Sequence, residues 1–149
     1  MDKKAIVLSV AGSDSSGGAG IQADIKAISA LGGYAATAIT AITVQNTLGV
    51  QAVHPVAAEL VGQQMQAVME DLQPDAIKIG MTGNVEIIYE IVRILRRYSP
   101  RKVVFDPVMV STSGHSLMTD EALEAIRTKL IPKVTRVTPN LHETEVLLQ

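Results

Sequence analysis

The chain has no cysteine and no tryptophan, and only one phenylalanine and three histidines in 149 residues. Without cysteine there is no disulfide framework, no thiolate nucleophile and no cysteine-bound metal. Charge of one sign is lacking too. Thirteen Lys and Arg against fifteen Asp and Glu leave a net charge of -2, which is no basic footprint for nucleic acid. Nor is there a long hydrophobic run: the longest, "YAATAITAITV", falls well short of the roughly 18 residues that a membrane span needs. The opening "MDKKAIVLSVAG" sets two lysines before an apolar run at the short limit for a secretory signal, and a βα loop follows it. A soluble cytoplasmic protein, bound to neither membrane nor nucleic acid, is expected.

What is present is an alternation of strand and helix patterns. A hydrophobic content of 47% with 19% charged residues supports one cored domain. "AIVLSVA" (5–11) is a continuous β-branched run, the mark of a strand buried on both faces. Ile21, Ile25, Ile28 and Leu31 then recur at helical spacing up to Gly32-Gly33. "ATAITAITV" and "VQAVHPV" read as strands joined by the turn "NTLG". Leu60, Met65, Val68, Met69 and Leu72 mark a second helix, "AIKIG" a strand, and Val85, Ile88, Val92 and Leu95 a third helix. "KVVFD" is a strand, and Leu123, Ile126 and Leu130 a helix from Thr119-Asp120 to a stop at Pro132. "TRVTP" is the last strand and a helix opens at Asn140. The pattern predicts an α/β fold, a mostly parallel sheet with helices on both faces. The methionines and helical apolar stripes are assigned to the core, and "RILRRYSPRK" to a solvated helix end. No stop signal precedes Gln149, so the chain is expected to be the N-terminal part of a longer protein.

The unusual polar segments all fall at carboxyl ends of strands, the edge where open α/β sheets bind ligands. "GSDSSGG", "QNT", "GMTG", "DPVMVSTSG" and "PNLHE" each complete one strand. "GAGIQA" (18–23) matches the dinucleotide fingerprint in isolation, but six residues separate it from the strand and no acid lies about 20 residues on. Gly-Lys-Ser/Thr is absent, which excludes a Walker A loop. The loop keeps a Gly17-Gly18 pair opening a helix, with Asp14 before it and Asp24 one turn inside, facing either the site or solvent. Asp106, ending an apolar strand before Pro107, is placed to hold Mg²⁺ through water beside a phosphate chain, the plainer reading being an Asp-Pro turn. Asn140 and Glu143 have the spacing of a capping box, and the same helix N-terminus suits phosphate. His54, His115 and His142 show no ligand spacing.

Taken together, "AGSDSSGGAGIQADIKA", "TAITVQNT", "KIGM", "DPVMVSTSG" and "TPNLHE" resemble the hydroxymethylpyrimidine and phosphomethylpyrimidine kinases of thiamine biosynthesis, in the ribokinase-like superfamily. The resemblance covers essentially the whole chain. It implies that Gly12, Ala19 and Asp24 line a pyrimidine pocket, with Gln45 bonding the ring and Met81 and Val108 packing beside it. Gly17 and Gly18 would hinge the loop over the ligand. Asp106, Asn140 and Glu143 would serve ATP, with Asp106 and Glu143 also holding Mg²⁺ through water. The implied reaction transfers the γ-phosphoryl of ATP to the hydroxymethyl group and then to the resulting monophosphate. A homodimer acting on this small molecule is the expected assembly.

Members of the family continue into a Gly-rich "GTGC"-type segment that supplies the anion hole and the polar residue beside the acceptor, and these 149 residues hold neither. Residues 1–149 are therefore expected to be an incomplete kinase domain that transfers phosphate poorly alone. Two other readings stand beside the leading one: a pyridoxal kinase, against which Gln45 argues, and a non-catalytic pyrimidine-binding module.

Overall fold

The computed structural model describes residues 4–109 and 118–149. In chain order the elements are β1 (Ile6–Ser13), α1 (Gly20–Ala30), β2 (Tyr34–Asn46), β3 (Gly49–Pro55), α2 (Ala58–Asp71), β4 (Ala76–Ile79), α3 (Val85–Tyr98) and β5 (Val103–Phe105), then α4 (Asp120–Ala125), β6 (Arg136–Val137) and α5 (Leu141–Leu148). The strands form one sheet in the order β3-β2-β1-β4-β5-β6. All neighbours run parallel except β2 and β3, a hairpin closed by Thr47-Leu48, where the Leu48 N–H donates to Asn46 Oδ1 at 2.9 Å.

This order fixes where the helices go. The chain steps one way from β1 to β2 and the other way from β4 through β5 to β6. Right-handed crossovers then force the connecting helices onto opposite faces. Accordingly α1 packs on one face against β1 and β2, while α2, α3 and α4 pack side by side on the other.

The core lies on the three-helix side. Leu8 and Val10, Ala36 and Ala38, Ile77 and Ile79, and Val103 and Phe105 supply alternate strand positions, and Met65, Ile87, Ile88 and Ile91 meet them. Helix α3 is the best specified: six of its residues are buried, Asn84 Oδ1 caps the Ile87 N–H at 3.0 Å, and Arg96 and Arg97 close its last turn.

Two expectations need correction. Of the stripe on α1 only Ile21 is buried; Ile25 and Leu31 are exposed, as is Leu60 on α2. Among the described residues no second helix packs beside α1 to cover that stripe, and an inward position is held by Asp24. The fourth predicted helix does not stop at Pro132. It widens into a π turn over Ile126–Leu130 and tightens into a 3₁₀ turn over Ile131–Lys133 with Pro132 at its start, where no N–H is required.

Candidate functional site

The direction of the sheet reverses between β1 and β4, and a crevice opens beyond their carboxyl ends. A cavity of about 320 Å³ lies there, an ordinary size for a small-molecule site. Of the residues singled out in the sequence, Gly12, Ala19, Asp24, Gln45, Met81, Asp106 and Val108 line it. Gly17, Gly18, Asn140 and Glu143 do not. The sequence reading passed over Thr43, Val50, Val53 and Lys78, which line it as well. A larger cleft of about 690 Å³, between the β2–β3 hairpin and the starts of α3 and α4, shares only Met81 with those predictions. Among the described residues its charged lining is Glu86 and Glu121.

Asp14 organises the loop over the cavity. The residue is 3% exposed; its Oδ1 accepts from the Ser16 N–H (2.8 Å) and hydroxyl (2.7 Å), and its Oδ2 from the Gly18 and Ala19 N–H groups (2.9 and 2.8 Å). Burial pushes its pKa up, but the Ser16 hydroxyl and the N–H groups of Ser16, Ala19 and Gly18 together outweigh that and hold it below the ordinary carboxyl value. Gly17 sits at φ +79 and Lys26 Nζ donates to its carbonyl at 2.7 Å, so the glycine pair is tied at both sides. Gly20, at φ +56, is tighter still: a Cβ there would stand 2.2 Å from the Gly12 carbonyl oxygen. The run of Asp, Ser and Gly was the signal for this Asx-type turn.

Asp24 turns onto the sheet and away from solvent. Ser9 Oγ donates to its Oδ2 at 2.6 Å, and Lys78 Nζ approaches the same oxygen at 3.0 Å. Oδ1 has no partner among the described residues. Lys78 was legible as a charge inside "AIKIG", an otherwise apolar strand. It reaches the cavity because Gly80, two residues on, leaves the space: a Cβ there would lie 2.9 Å from Nζ.

Gln45 is placed by Ser15, whose hydroxyl donates to the Gln45 carbonyl at 2.7 Å, and by Thr43, whose hydroxyl lies 3.2 Å from its carboxamide. Thr43 has a single hydroxyl proton, and it goes to the Ser13 carbonyl at 2.6 Å. Only the turned-over amide, sterically equivalent, gives both groups a partner. Gln45 Nε2 then donates to Thr43, and Oε1 remains as an acceptor for a ligand. Asp24 Oδ1 and Gln45 Oε1 thus give the cavity two acceptors.

Asp106 stands at the end of β5 with its N–H on the Ile79 carbonyl, and its carboxylate has no partner among the described residues. Asn140 and Glu143 form a complete capping box: Asn140 Oδ1 accepts the Glu143 N–H and Glu143 Oε2 accepts the Asn140 N–H, each at 2.8 Å. Glu143 retains Oε1. Among the described residues no group of three or more His, Asp or Glu side chains converges as a metal cage. The segment "VSTSG" and His115 lie outside the described residues; His54 and His142 are exposed.

The family profile of phosphomethylpyrimidine kinase matches residues 14–149. A hydroxymethylpyrimidine/phosphomethylpyrimidine kinase from Rhizobium meliloti is 55% identical over 143 residues, 96% of this chain and 53% of that protein. The chain spans about half the length of the curated kinases it matches. A phosphomethylpyrimidine kinase from Clostridium difficile superposes with a TM-score of 0.91 at 51% identity, over 97% of this chain and 62% of that one. Pyridoxal kinase from Staphylococcus aureus, solved with pyridoxal, follows at a TM-score of 0.85 and 36% identity, over 97% and 53%.

Proposed function

The chain belongs to the phosphomethylpyrimidine kinase family, and on that premise we propose that it carries the acceptor site of an ATP-dependent kinase of thiamine biosynthesis. The substrate is 4-amino-5-hydroxymethyl-2-methylpyrimidine, and its monophosphate in a second transfer. One observation carries the reading: Gln45 and Asp24, whose side chains can accept from an amino group, line the cavity that Asp106 also lines. An aminopyrimidine brings the amino donor such a pair requires. Met81 and Val108 flank the ring, and the loop organised by Asp14 stands over it.

The nucleotide side is read from Asp106, Asn140 and Glu143. Magnesium beside a phosphate chain needs only one or two carboxylates and keeps much of its water. The carboxylate of Asp106, without a partner among the described residues, and the remaining oxygen of Glu143 fit that role without a third acid. The ion, when bound, neutralises charge on the transferred phosphoryl group. The chain's own residues hold the acceptor hydroxymethyl group in one orientation, which is the protein's main contribution to phosphoryl transfer. An alcohol acceptor gains from a base and a phosphate acceptor is already anionic, so one positioning site serves both steps.

A cytoplasmic homodimer completes the proposal. Ile42, Val44 and Leu48, exposed on the β2–β3 hairpin, support the association, and light scattering tests it. No helix among the described residues is long and apolar enough to cross a membrane.

Gln45→Met tests the acceptor assignment. It removes a carboxamide from a part-buried site and is expected to weaken aminopyrimidine binding by about 1–3 kcal/mol in calorimetry. Unchanged affinity refutes the assignment, and tighter binding of pyridoxal than of the aminopyrimidine by the unmodified chain would favour the pyridoxal reading.

A further inference from the structure

We propose that Lys78 is a positioning residue that sets specificity: through Asp24 it makes the cavity prefer a ring amino group over an oxo group at the same place. The inference rests on the pyrimidine-kinase reading and adds to it a residue that does not touch the discriminated group.

Four charged side chains line the cavity among the described residues, Asp14, Asp24, Asp106 and Lys78, and the last is the single cation. Asp14 is consumed by its own loop. Lys78 is engaged with Asp24. A pair whose side chains are 26% and 18% exposed adds little to stability. The place of Lys78 in the middle of a central strand therefore asks for another reason.

The geometry supplies one. Lys78 Nζ and Ser9 Oγ both approach Oδ2 of Asp24, at 3.0 and 2.6 Å. With one oxygen gripped twice, the carboxylate cannot turn, and its whole remaining capacity is acceptance at Oδ1. A carboxylate so fixed rewards a donor and repels the lone pairs of a carbonyl. Release Oδ2 and Asp24 becomes a mobile side chain that can turn to water and rewards neither. Gly80 reserves the space for this arrangement, since any Cβ there meets Nζ at 2.9 Å. The far end of a lysine moves easily, so Gly80→Ala displaces the ammonium, and Ala11 Cβ, 3.1 Å from the new methyl, must give by a few tenths of an ångström as well.

The test is calorimetric, on the chain as it stands, with two nearly isosteric probes: 4-amino-5-hydroxymethyl-2-methylpyrimidine and its 4-oxo analogue. The unmodified chain is expected to prefer the amino probe by about tenfold or more, as a site built around a polar contact does. Lys78→Met is expected to lose most of that preference by weakening the amino probe while leaving the oxo probe within about threefold. Lys78→Arg, which keeps charge and donors, is expected to retain it, and Gly80→Ala to fall between. A purely structural lysine would lower both affinities together. A preserved preference in Lys78→Met overturns the proposal, whether the affinities hold or fall in parallel. Should Lys78→Met not fold, Gly80→Ala and Ser9→Ala decide by the same ratio. An unmodified chain that binds neither probe overturns the kinase reading and this inference with it; one that prefers the amino probe in every variant overturns this inference alone.

Discussion

Replacing Asp14 by Asn changes one atom and should unfasten the loop over the cavity. Each Asp14 oxygen accepts two hydrogen bonds, at 2.7–2.9 Å, from Ser16 or from Gly18 and Ala19. An amide turns one of those oxygens into a donor. With that N–H group toward Ser16 the hydroxyl can turn to accept from it, so the Ser16 N–H alone loses its acceptor, while the bonds from Gly18 and Ala19 persist to an uncharged oxygen. A hydrogen bond to a charged group contributes about 1.5–3 kcal/mol. Because Ser16 is exposed enough for water to replace part of the loss, roughly 1–3 kcal/mol should remain. The cost should appear as loop opening before it appears as global unfolding. Amide exchange at Gly18 and Ala19 is the direct assay, with aminopyrimidine affinity expected to fall in step, since only the ordered loop binds. The pH dependence has a definite sign. Asp14 has a folded pKa below its ordinary value, so its contribution is complete above about pH 4 and is lost as pH falls through the lowered folded pKa. The gap between the two proteins should be constant at neutral and mildly acidic pH and should close in stronger acid. Unchanged protection at Gly18 and Ala19, with affinity within twofold, would refute the reasoning.

Gly20→Ala is expected to be more damaging than its size suggests, because the new Cβ would sit 2.2 Å from the Gly12 carbonyl oxygen on a backbone at φ +56. A loss of roughly 2–4 kcal/mol in urea denaturation is expected, and a change below about 0.5 would mean that the loop yields freely. Asp106→Asn should leave aminopyrimidine affinity nearly intact and lower turnover of the full-length enzyme at fixed Mg²⁺, with partial recovery at high Mg²⁺. Lost pyrimidine binding with normal nucleotide use would show that the division of the site is wrong.

Much of the fold was legible because the strand and helix periods are long and the polar segments end the strands. The six strands, the mostly parallel sheet and the crevice edge follow from that pattern, and β1 is as buried as its unbroken apolar run implies. The errors have one cause. Periodicity reports that a helix has an apolar stripe and is silent on whether anything lies over it, so Ile25, Leu31 and Leu60 read as core and are exposed. Side-chain partners far apart in sequence were invisible for a related reason. Ser9, Asp24 and Lys78 meet only because β1 pairs with β4 and α1 crosses above them. The Asp14 turn was local and could have been read from "SDSSGG".

The second half of β2 shows where the sequence rule gives way to the site. Burial alone would turn Ile42 and Val44 inward and Thr43 and Gln45 outward. The structure does the reverse: Ile42 and Val44 are 47% and 46% exposed, while Thr43 is buried and Gln45 lines the cavity. A register shift between Ala11 and Ser13 of β1 gives β2 an extra residue just before this stretch, and Thr43 is then held inward by its bond to the Ser13 carbonyl. Such irregularities re-aim side chains beside binding sites. Leaving two β-branched residues half in water works against stability, and a polar pair facing the cavity is what the strand gains. Local pattern and global fold disagree here, and a functional site is where such disagreement is expected.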